Sequence, residues 1–228
     1  MLTQKATRFA NVVGGQATAR HSMCPAETRG RLTDFGAKTK MFRHDETIFE
    51  EGGPTDYIYK VTRGAVRSYK MLGDGRRKIE AFRLPGDLFG IDSADTREFS
   101  AEAIDEVTAV IVRRSVVIKR AAADHQDLQD IWIATDQELR RVQQHALLLA
   151  KTGQQRIACF LIEMSRRLRQ TDILELPMPR QDIADYLGLT IETVSRMMTQ
   201  LEASGTIKLP TSRRIVLRDL AALERLNE

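Results

Sequence analysis

Three side chains near the C-terminus, Glu192, Ser195 and Arg196, are of types that can read DNA bases. An arginine can donate two hydrogen bonds to guanine O6 and N7, a glutamate can accept one from cytosine N4, and a serine hydroxyl can serve either role. On a helix these residues share a polar face with Thr199. We therefore predict base contacts by Glu192, Ser195 and Arg196 at a half-site that contains G·C pairs. The alternative is that Glu192 and Arg196 form only a surface ion pair, which contributes little energy.

The segment 180–201, RQDIADYLGLTIETVSRMMTQL, has the spacing of a helix-turn-helix that would present this polar face. Gly188 stands at the tight turn between the two helices, and Ala184 is small at the point where the helices must cross closely. Thr190 can cap the second helix through its hydroxyl. Apolar residues occupy the inward positions Ile183, Leu187, Leu189, Val194 and Met197. The agreement at all of these positions favours DNA recognition over the ion-pair alternative.

Residues 206–217 alternate apolar and polar residues around the tip Pro210–Arg214, which predicts a β-hairpin beside the helix-turn-helix, called the wing below. Contacts to DNA phosphates position a protein and set its salt dependence, but they do not read sequence. The predicted backbone contacts are Arg180, Thr190, Thr193, Thr199, Lys208, Ser212, Arg213 and Arg214. The alternative for the wing is a solvated tip with incidental arginines. A short closing helix is predicted over 219–226.

Between about Asp124 and Lys151 the chain has no Gly or Pro, and apolar or small residues recur at alternating steps of four and three. These positions are Leu128, Trp132, Thr135, Leu139, Val142, Ala146 and Leu149. Such a heptad pattern predicts a helix that pairs with its copy in a homodimer. The alternative is one amphipathic helix packed on its own domain. Thr152 and Gly153 end the pattern, and a second helix is predicted over 154–168.

Residues 38–117 contain short runs of β-branched and aromatic residues separated by turn residues, which predicts a compact antiparallel β-roll or barrel. Asp74–Gly75 is the strongest hairpin signal. The chain is therefore assigned to the α+β class. The predicted segments are a variable N-terminal arm over 1–30, a β-roll over 31–123, a dimerisation helix over 124–151 and a winged helix-turn-helix domain over 152–228.

Composition limits the function classes. The chain has 228 residues and a net charge of only +4, so charge permits a polyanionic partner without requiring one. The first twenty residues lack the continuous apolar run of a signal peptide or membrane span, so we expect a cytoplasmic protein without a membrane partner. The two cysteines, Cys24 and Cys159, support neither a disulfide framework nor a cysteine-rich metal site.

The order of β-roll, long helix and winged helix-turn-helix resembles the CRP/FNR superfamily of bacterial transcription regulators over about residues 38–217. Two segments carry the resemblance: ETVSR at 192–196 matches the recognition signature, and PGDLFG at 85–90 matches the glycine-rich turn of the roll. The resemblance implies a homodimer on an inverted repeat of TTGAT-type half-sites, with RNA polymerase as a further partner. One departure is Pro179, where relatives carry Ser, Thr or Cys, because proline offers no capping hydroxyl.

The resemblance also defines what the sensor domain lacks. The cyclic-nucleotide binders of the superfamily use a glutamate for the ribose and an arginine for the phosphate, but this chain has Ile91 and Phe99 at these places. Isoleucine cannot accept that hydrogen bond, and phenylalanine cannot neutralise a phosphate. Two cysteines cannot hold the iron–sulfur cluster of the oxygen sensors. The chain therefore resembles the FixK branch, cofactor-free activators of genes for low-oxygen respiration, denitrification and nitrogen fixation.

Three other functions stay open at this point. A haem- or nitric-oxide-responsive regulator would need an axial ligand, and the four histidines are His21, His44, His125 and His145. An enzyme with a cupin-like metal roll would need a histidine cluster, yet the roll contains only His44. A dimeric scaffold that does not bind DNA would leave the polar face of the second helix unexplained. Cys159 lies among apolar residues and is predicted to be a buried small hydrophobic residue.

Overall fold

The computed structural model describes residues 36–227, so the predicted arm over 1–30, with His21 and Cys24, lies outside the described residues. The first part of this range is built of strands. They are β1 Lys38–Phe42, β2 Thr47–Phe49, β3 Tyr57–Arg63, β4 Val66–Met71, β5 Arg77–Arg83, β6 Leu88–Phe89, β7 Ser100–Ala103 and β8 Val107–Arg113. They form two antiparallel sheets with the orders β1-β8-β3-β6 and β2-β7-β4-β5. The predicted α+β class and antiparallel β-roll are confirmed.

The turns of the roll follow the local chemistry of the sequence. The hairpin between β4 and β5 turns at Asp74–Gly75 as predicted, and Gly75 has a φ of +81°. Gly64 has a φ of +82°, and a Cβ there would lie 2.4 Å from the carbonyl oxygen of Glu106. Only glycine fits this close approach. Between the sheets, the ring of Tyr59 stacks on Phe89 with centroids 5.1 Å apart.

The strand pattern that the sequence shows up to Val117 ends earlier than predicted, because helix α1 occupies Arg114–Ala123. Its β-branched run, Val116 to Ile118, is typical of a strand by propensity. Val117 is instead buried against Ile58 and Val112 of the roll. Tertiary packing therefore overrides local propensity in this helix.

Two long helices follow, α2 at His125–Leu149 and α3 at Gly153–Leu168. At 25 residues, α2 is about 37 Å long. The predicted break after it is present: the Thr152 side chain accepts from the Gln155 backbone N–H, and the Gln155 side chain accepts from the Thr152 N–H. This reciprocal capping box stops one helix and starts the next.

The C-terminal part alternates short strands and helices. They are β9 Ile173–Glu175, α4 Arg180–Leu187, α5 Ile191–Ala203, β10 Ile207–Lys208, β11 Arg214–Leu217 and α6 Leu220–Asn227. The wing hairpin and closing helix agree with the sequence predictions. Strand β9 was not predicted; it pairs with β11 and extends the wing into a sheet of order β10-β11-β9.

The roll and the C-terminal part share one hydrophobic core. Phe82 of β5 packs on Phe160 of α3 and Tyr186 of α4, with ring centroids 6.3 Å and 5.1 Å away. Burial is the main cause that raises the pKa of the Tyr186 phenol above its ordinary value. The C-terminal part is therefore packed onto the roll over apolar surface. The division into the four predicted segments stays a prediction.

Asp87, in the turn before β6, joins the roll to both long helices. Its carboxylate accepts from Arg141 of α2 at 2.6 Å, from Arg167 of α3 at 2.7 Å and from the Leu84 backbone N–H at 2.8 Å. Burial alone would raise the pKa of Asp87, but the guanidinium groups of Arg167 and Arg141 hold it below its ordinary value. The carboxylate is therefore charged and fully paired.

Within residues 36–227, the longest helices are too polar to cross a lipid bilayer.

Replacing Asp87 by asparagine should destabilise the protein by about 2–4 kcal/mol, because Arg141 and Arg167 would lose their buried counter-ion and keep only the more exposed carboxylates of Glu138 and Glu163, at 3.4 and 3.3 Å. Urea denaturation measures this loss. Since the pKa of Asp87 is lowered in the folded protein, its stabilisation is complete above the unfolded pKa of about 3.9 and is lost as the pH falls through the folded pKa. The difference between the two proteins should therefore shrink below about pH 4.

The control is Asp74→Asn, at the exposed hairpin tip, where Asp74 pairs with an exposed Arg76. This change should leave the urea midpoint nearly unchanged. Equal losses in the two variants would contradict the central role of Asp87.

Candidate nucleic-acid interface

Helices α4 and α5 form a helix-turn-helix with the predicted turn. Gly188 has a φ of +63°, and the Leu189 backbone N–H donates to the Ala184 carbonyl at 3.0 Å. Ala184 is completely buried, so the two helices meet where its side chain is small. Of the predicted inward residues, Ile183, Leu187 and Val194 are buried, and Leu189 and Met197 are half-buried.

Thr190 caps the N-terminus of α5 as predicted. Its hydroxyl accepts from the Thr193 backbone N–H at 3.2 Å, and the two hydroxyls lie 3.1 Å apart. Glu192 lies in this first turn, where hydrogen bonds from its own backbone N–H and from the Thr190 side chain lower the pKa of its carboxyl group. The glutamate at the start of α5 is therefore held in its charged form.

The three residues predicted to contact bases lie on the outer face of α5. Glu192 and Arg196 are exposed and Ser195 is half-buried, whereas Val194 and Met198 on the other side are buried. No ion pair between Glu192 and Arg196 occurs among the residues that the structure describes. The surface ion pair, which was the alternative for this helix, is therefore not formed here, and the polar groups face solvent.

The wing is anchored to α5 at its base. The Leu209 backbone N–H donates to a carboxylate oxygen of Glu202 on α5 at 2.8 Å. At the tip, the Thr211 hydroxyl accepts from the backbone N–H groups of Arg213 and Arg214 at 3.3 and 3.0 Å. The wing is therefore an ordered hairpin connected to the helix that precedes it.

The residues predicted to contact phosphates differ in their surroundings. Lys208, Ser212 and Arg213 are exposed on the wing. Arg214 is exposed as well, but its Nε lies 3.5 Å from a Glu175 carboxylate oxygen, so it would exchange this ion pair for a phosphate. Thr199 is exposed and donates its hydroxyl to the Ser195 carbonyl at 3.0 Å.

Arg180 opens α4 and is half-buried, and this burial lowers the pKa of its guanidinium group. Pro179 precedes it as the N-cap and gives no side-chain hydrogen bond, as its residue type predicts. The N-terminal amides of α4 therefore have no capping hydroxyl from this position.

A stripe of apolar side chains on α2 is exposed in the single chain. Trp132 is 76% exposed, which is unusual for so large an apolar side chain. Six of the seven predicted interface residues are exposed: Leu128, Trp132, Thr135, Leu139, Val142 and Ala146. The seventh, Leu149, is half-buried beside the turn at Gly188. A Cβ added to that glycine would lie 3.7 Å from Cδ2 of Leu149.

A cavity of about 300 Å³ lies between α2 and the roll, and it is lined by Ile91 and Phe99, the two residues that the resemblance places at the ribose and phosphate positions of cyclic-nucleotide binders. Its arginine, Arg83, pairs with Glu80 at 3.0 Å and with Glu138 of α2 at 2.5 Å. Glu80 and Glu138 lie beside Arg83, the one arginine among the described residues that lines the cavity, and their charges would repel a phosphate. The residues present therefore do not fit a cyclic nucleotide.

Sequence reasoning missed Arg97, two residues before Phe99. Its side chain is 1% exposed and donates to the carbonyl oxygens of Gly90 at 2.9 Å and Tyr57 at 2.6 Å. It also pairs with Asp92 and lies over the Phe49 ring, 4.3 Å from its centroid. This arginine holds the loop of the roll, and both of its terminal nitrogens are engaged, so they are not available to replace the missing phosphate ligand.

The described histidines lie apart from this cavity. His44 is exposed and pairs with Asp45, and His125 is exposed on α2. His145 lies between carbonyl oxygens of Tyr186 and Glu80, and burial lowers its pKa. Cys159 was predicted to be buried but is half-buried on α3, where burial raises the pKa of its thiol.

Arg156 of α3 was also missed, and it positions the turn of the helix-turn-helix. Its guanidinium donates to the carbonyl of Leu187 at 2.9 Å, at the end of α4. It also donates to the carbonyl of Leu149, the last residue of α2, at 2.7 Å and to that of Lys151, just after α2, at 2.9 Å. A cation at the C-termini of two helices satisfies carbonyls that have no helical partner. No local motif distinguishes this arginine from its neighbours.

Comparison with known proteins agrees with this architecture. A model of the Crp-like helix-turn-helix domain matches residues 155–226, and a model of the cyclic nucleotide-binding domain matches residues 39–124. The chain is 48% identical to the nitrogen fixation regulation protein FixK of Azorhizobium caulinodans over 193 residues, which cover 82% of this chain and 78% of that protein.

Two further proteins extend the similarity. The chain is 39% identical to the nitrogen fixation regulation protein FixK of Rhizobium meliloti over 186 residues, 81% of this chain and 85% of that protein. The solved structure of FixK2 from Bradyrhizobium japonicum superposes with a TM-score of 0.81 at 46% identity. That match covers 84% of this chain and 98% of the solved one.

Replacing Ala184 by leucine should destabilise the helix-turn-helix, because three added carbon atoms have no space at the crossing of α4 and α5. We expect a loss of about 1–3 kcal/mol in the free energy of unfolding, measured by urea denaturation. Ala203→Leu is the matched control, since Ala203 is exposed at the end of α5. A variant at position 184 as stable as the control would show that the crossing is looser than described.

Proposed function

This chain belongs to the CRP/FNR family of transcription regulators, and we propose that it binds an inverted repeat of TTGAT-type half-sites as a homodimer. The relatives are named as regulators of nitrogen fixation, so the chain is not an enzyme. The observation that carries the proposal is the solvent-facing side of α5 with Glu192, Ser195 and Arg196.

Each residue of this face has a distinct role in the proposal. Arg196 donates to guanine O6 and N7, Glu192 accepts from cytosine N4, and the Ser195 hydroxyl bonds to a neighbouring base. The lowered pKa of Glu192 supports this role, because it favours the charged carboxylate that accepts the hydrogen bond. Hydroxyl and basic residues of the helix-turn-helix and wing contact phosphates, and all of them are exposed except the half-buried Arg180 and Thr193. The proposed phosphate contacts are Arg180, Thr190, Thr193, Thr199, Lys208, Ser212, Arg213 and Arg214.

The exposed stripe of α2 supports the homodimer. A 25-residue helix that leaves Trp132, Leu139 and Val142 in water would bury them by pairing with the same helix of a second copy. Burial of apolar surface contributes roughly 25 cal/mol for each Å² removed from water. A two-fold axis along this stripe would place two recognition helices on half-sites about one helical turn apart.

The proposed activity needs neither cyclic AMP nor an iron–sulfur cluster. The charge arrangement around Arg83 supports the first part, because Glu80 and Glu138 already neutralise the arginine and disfavour an anion. The two cysteines of the sequence support the second. DNA binding would then be controlled through the amount of protein or its modification.

The proposal extends to the biological role. We propose that the chain activates genes for low-oxygen respiration, denitrification or nitrogen fixation by contacting RNA polymerase at promoters, in the cytoplasm where its DNA lies. The two relatives named as nitrogen fixation regulators support this role.

The Arg196→Ala protein should bind a TTGAT inverted repeat about 5–150-fold more weakly than the wild type, because one bidentate guanine contact contributes about 1–3 kcal/mol. It should also lose preference at one base pair of each half-site. Fluorescence anisotropy titrations with the repeat and with a scrambled duplex, each with and without cyclic AMP, measure these effects. Added cyclic AMP should leave wild-type affinity unchanged.

Arg213→Ala on the wing is the control. It should weaken binding to every duplex by a similar factor and lower the slope of log K against log salt by about 1. If Arg196→Ala behaves in this uniform way, Arg196 contacts phosphate and the proposed base contact is wrong. If wild-type protein requires cyclic AMP to bind, the ligand-independent activity is wrong.

The Leu139→Glu protein should sediment as a monomer at concentrations where the wild type is a dimer, because two carboxylates would face each other across an apolar seam. Its affinity for the inverted repeat should fall with dimerisation. Analytical ultracentrifugation measures the first effect and anisotropy the second. Gln144→Glu, an exposed position on the other side of α2, adds the same charge and should stay dimeric. A dimeric Leu139→Glu protein would exclude this stripe as the interface.

A further inference from the structure

Helix α4 is attached to the β-roll by buried charged side chains that have no part in the proposed DNA contacts. Asp182 of α4 is 1% exposed. One of its carboxylate oxygens accepts from Nη1 of Arg67 on β4 at 2.9 Å, and the other accepts from Nη2 of Arg77 on β5. The carboxylate of the first helix of the helix-turn-helix is therefore held between two arginines of the other domain.

Each arginine is itself oriented by further carboxylates. Nη2 of Arg67 donates to Asp45 at 2.7 Å and also to Glu102 of β7. Arg77 donates to Asp185 of α4 from Nε at 2.9 Å and from Nη2 at 2.8 Å. We call Arg67, Arg77, Asp182 and Asp185 the α4 charge cluster.

A third attachment lies on the same face of α4. Nζ of Lys78 donates to the Tyr186 carbonyl at 2.8 Å, and a ring nitrogen of His145 on α2 lies 3.0 Å from the same oxygen. Positions 182, 185 and 186 face one way on a helix. The roll therefore contacts one continuous face of α4, through these charged and polar groups as well as through the packing of Phe82 on the Tyr186 ring.

The α4 charge cluster lies on the path that connects the dimer helix to the recognition helix. On one side, two ion pairs attach α2 to the roll: Arg141 of α2 pairs with Asp87, and Glu138 of α2 pairs with Arg83. On the other side, α4 packs on α5 through the buried Ala184. The position of α5 relative to α2 therefore depends on how α4 sits on the roll.

Charged groups are a costly way to hold two surfaces together, because desolvation offsets most of their attraction. Their advantage is directional: a guanidinium binds a carboxylate in a restricted planar geometry, whereas apolar surfaces can slide. The shared apolar core around Phe82 and Phe160 already holds the domains together. The α4 charge cluster is therefore better suited to fix an angle than to add stability.

We propose that the α4 charge cluster fixes the orientation of the recognition helix relative to the dimer axis, and that it thereby sets the half-site spacing that the protein accepts. The inference rests on the proposed binding of a homodimer to an inverted repeat. Asp182 is in this sense a positioning residue, since it acts on DNA recognition through the placement of α5.

The test compares wild-type and Asp182→Asn proteins, both full-length, on duplexes whose half-sites are separated by the standard spacer or by one base pair more or fewer. One base pair turns a half-site by about 34–36° about the DNA axis, which a rigid dimer cannot follow. Wild-type protein should discriminate strongly against the altered spacers. In the variant this discrimination should fall by about tenfold, within the usual range of coupling between two sites.

Affinity and base preference on a single half-site distinguish a change in the position of α5 from a general loss of folding or DNA binding. On a duplex with a single half-site, Asp182→Asn should keep the wild-type affinity and the wild-type base preference, because the α5 face is unchanged. Asp172→Asn, an exposed carboxylate in the same domain, should behave as wild type in every assay. Arg77→Gln removes the partner of Asp182 on the roll and should show the same loss of discrimination between spacers. This variant therefore tests the proposal if the Asp182→Asn protein does not fold.

Three results would overturn the inference. The first is wild-type spacer discrimination in the folded variant, and the second is an equal loss on all duplexes, including the single half-site. The third is tighter binding of the variant to the standard repeat, which would make the cluster inhibitory. A wild-type protein that shows no preference for the inverted repeat would instead refute the proposed function on which the inference rests.

Discussion

The carboxylate of Asp87 binds the guanidinium groups of Arg141 and Arg167, and through them the β-roll is connected to both long helices. Arg141 belongs to the helix with the exposed apolar stripe, and Arg167 belongs to the first helix of the Crp-like domain. The same buried carboxylate binds an arginine of each helix. A movement of Asp87 relative to one helix would therefore also disturb its ion pair with the other helix. The glycine-rich turn that carries Asp87 is therefore a structural junction in this chain.

The contacts between the domains combine two kinds of interaction with different consequences. Apolar packing of Phe82 on Phe160 and Tyr186 supplies non-directional burial. The ion pairs of Asp182 and the hydrogen bonds of Arg156 have defined directions, and both end on the helix-turn-helix. A regulator that must present two recognition helices at a set separation benefits from directional contacts of this kind.

The roll keeps the architecture of a nucleotide sensor while its cavity has different chemistry. Arg83, the lining arginine, is neutralised by Glu80 and Glu138, and the second glutamate lies on the long helix. The pair therefore attaches the long helix to the roll across the cavity that Ile91 and Phe99 line. This arrangement supports the proposal that the domain holds the long helix in one position without an effector.

The sequence by itself determined the elements whose signals are local. The turn at Gly188, the cap at Thr190 and the outward face with Glu192 and Arg196 depend on residues within about three helical turns of one another, so spacing alone predicts them. The heptad stripe of α2 and the hairpin at Asp74–Gly75 belong to the same class. Local signals also misled: the β-branched run at Val116 to Ile118 favours a strand, yet it forms α1.

Only the tertiary structure decided which distant charges meet. Arg67 and Asp182 are 115 residues apart, and neither stands in a pattern that distinguishes it from the other charged residues of the chain. The same holds for Arg83 with Glu138, for Arg97 in its loop and for Arg156 at two helix ends. An ion pair forms where the fold brings two side chains together, and no periodicity in the sequence predicts which two side chains these are. The physical reason is that helices and turns are encoded by neighbouring residues, whereas domain orientation depends on contacts that exist only after the chain has folded.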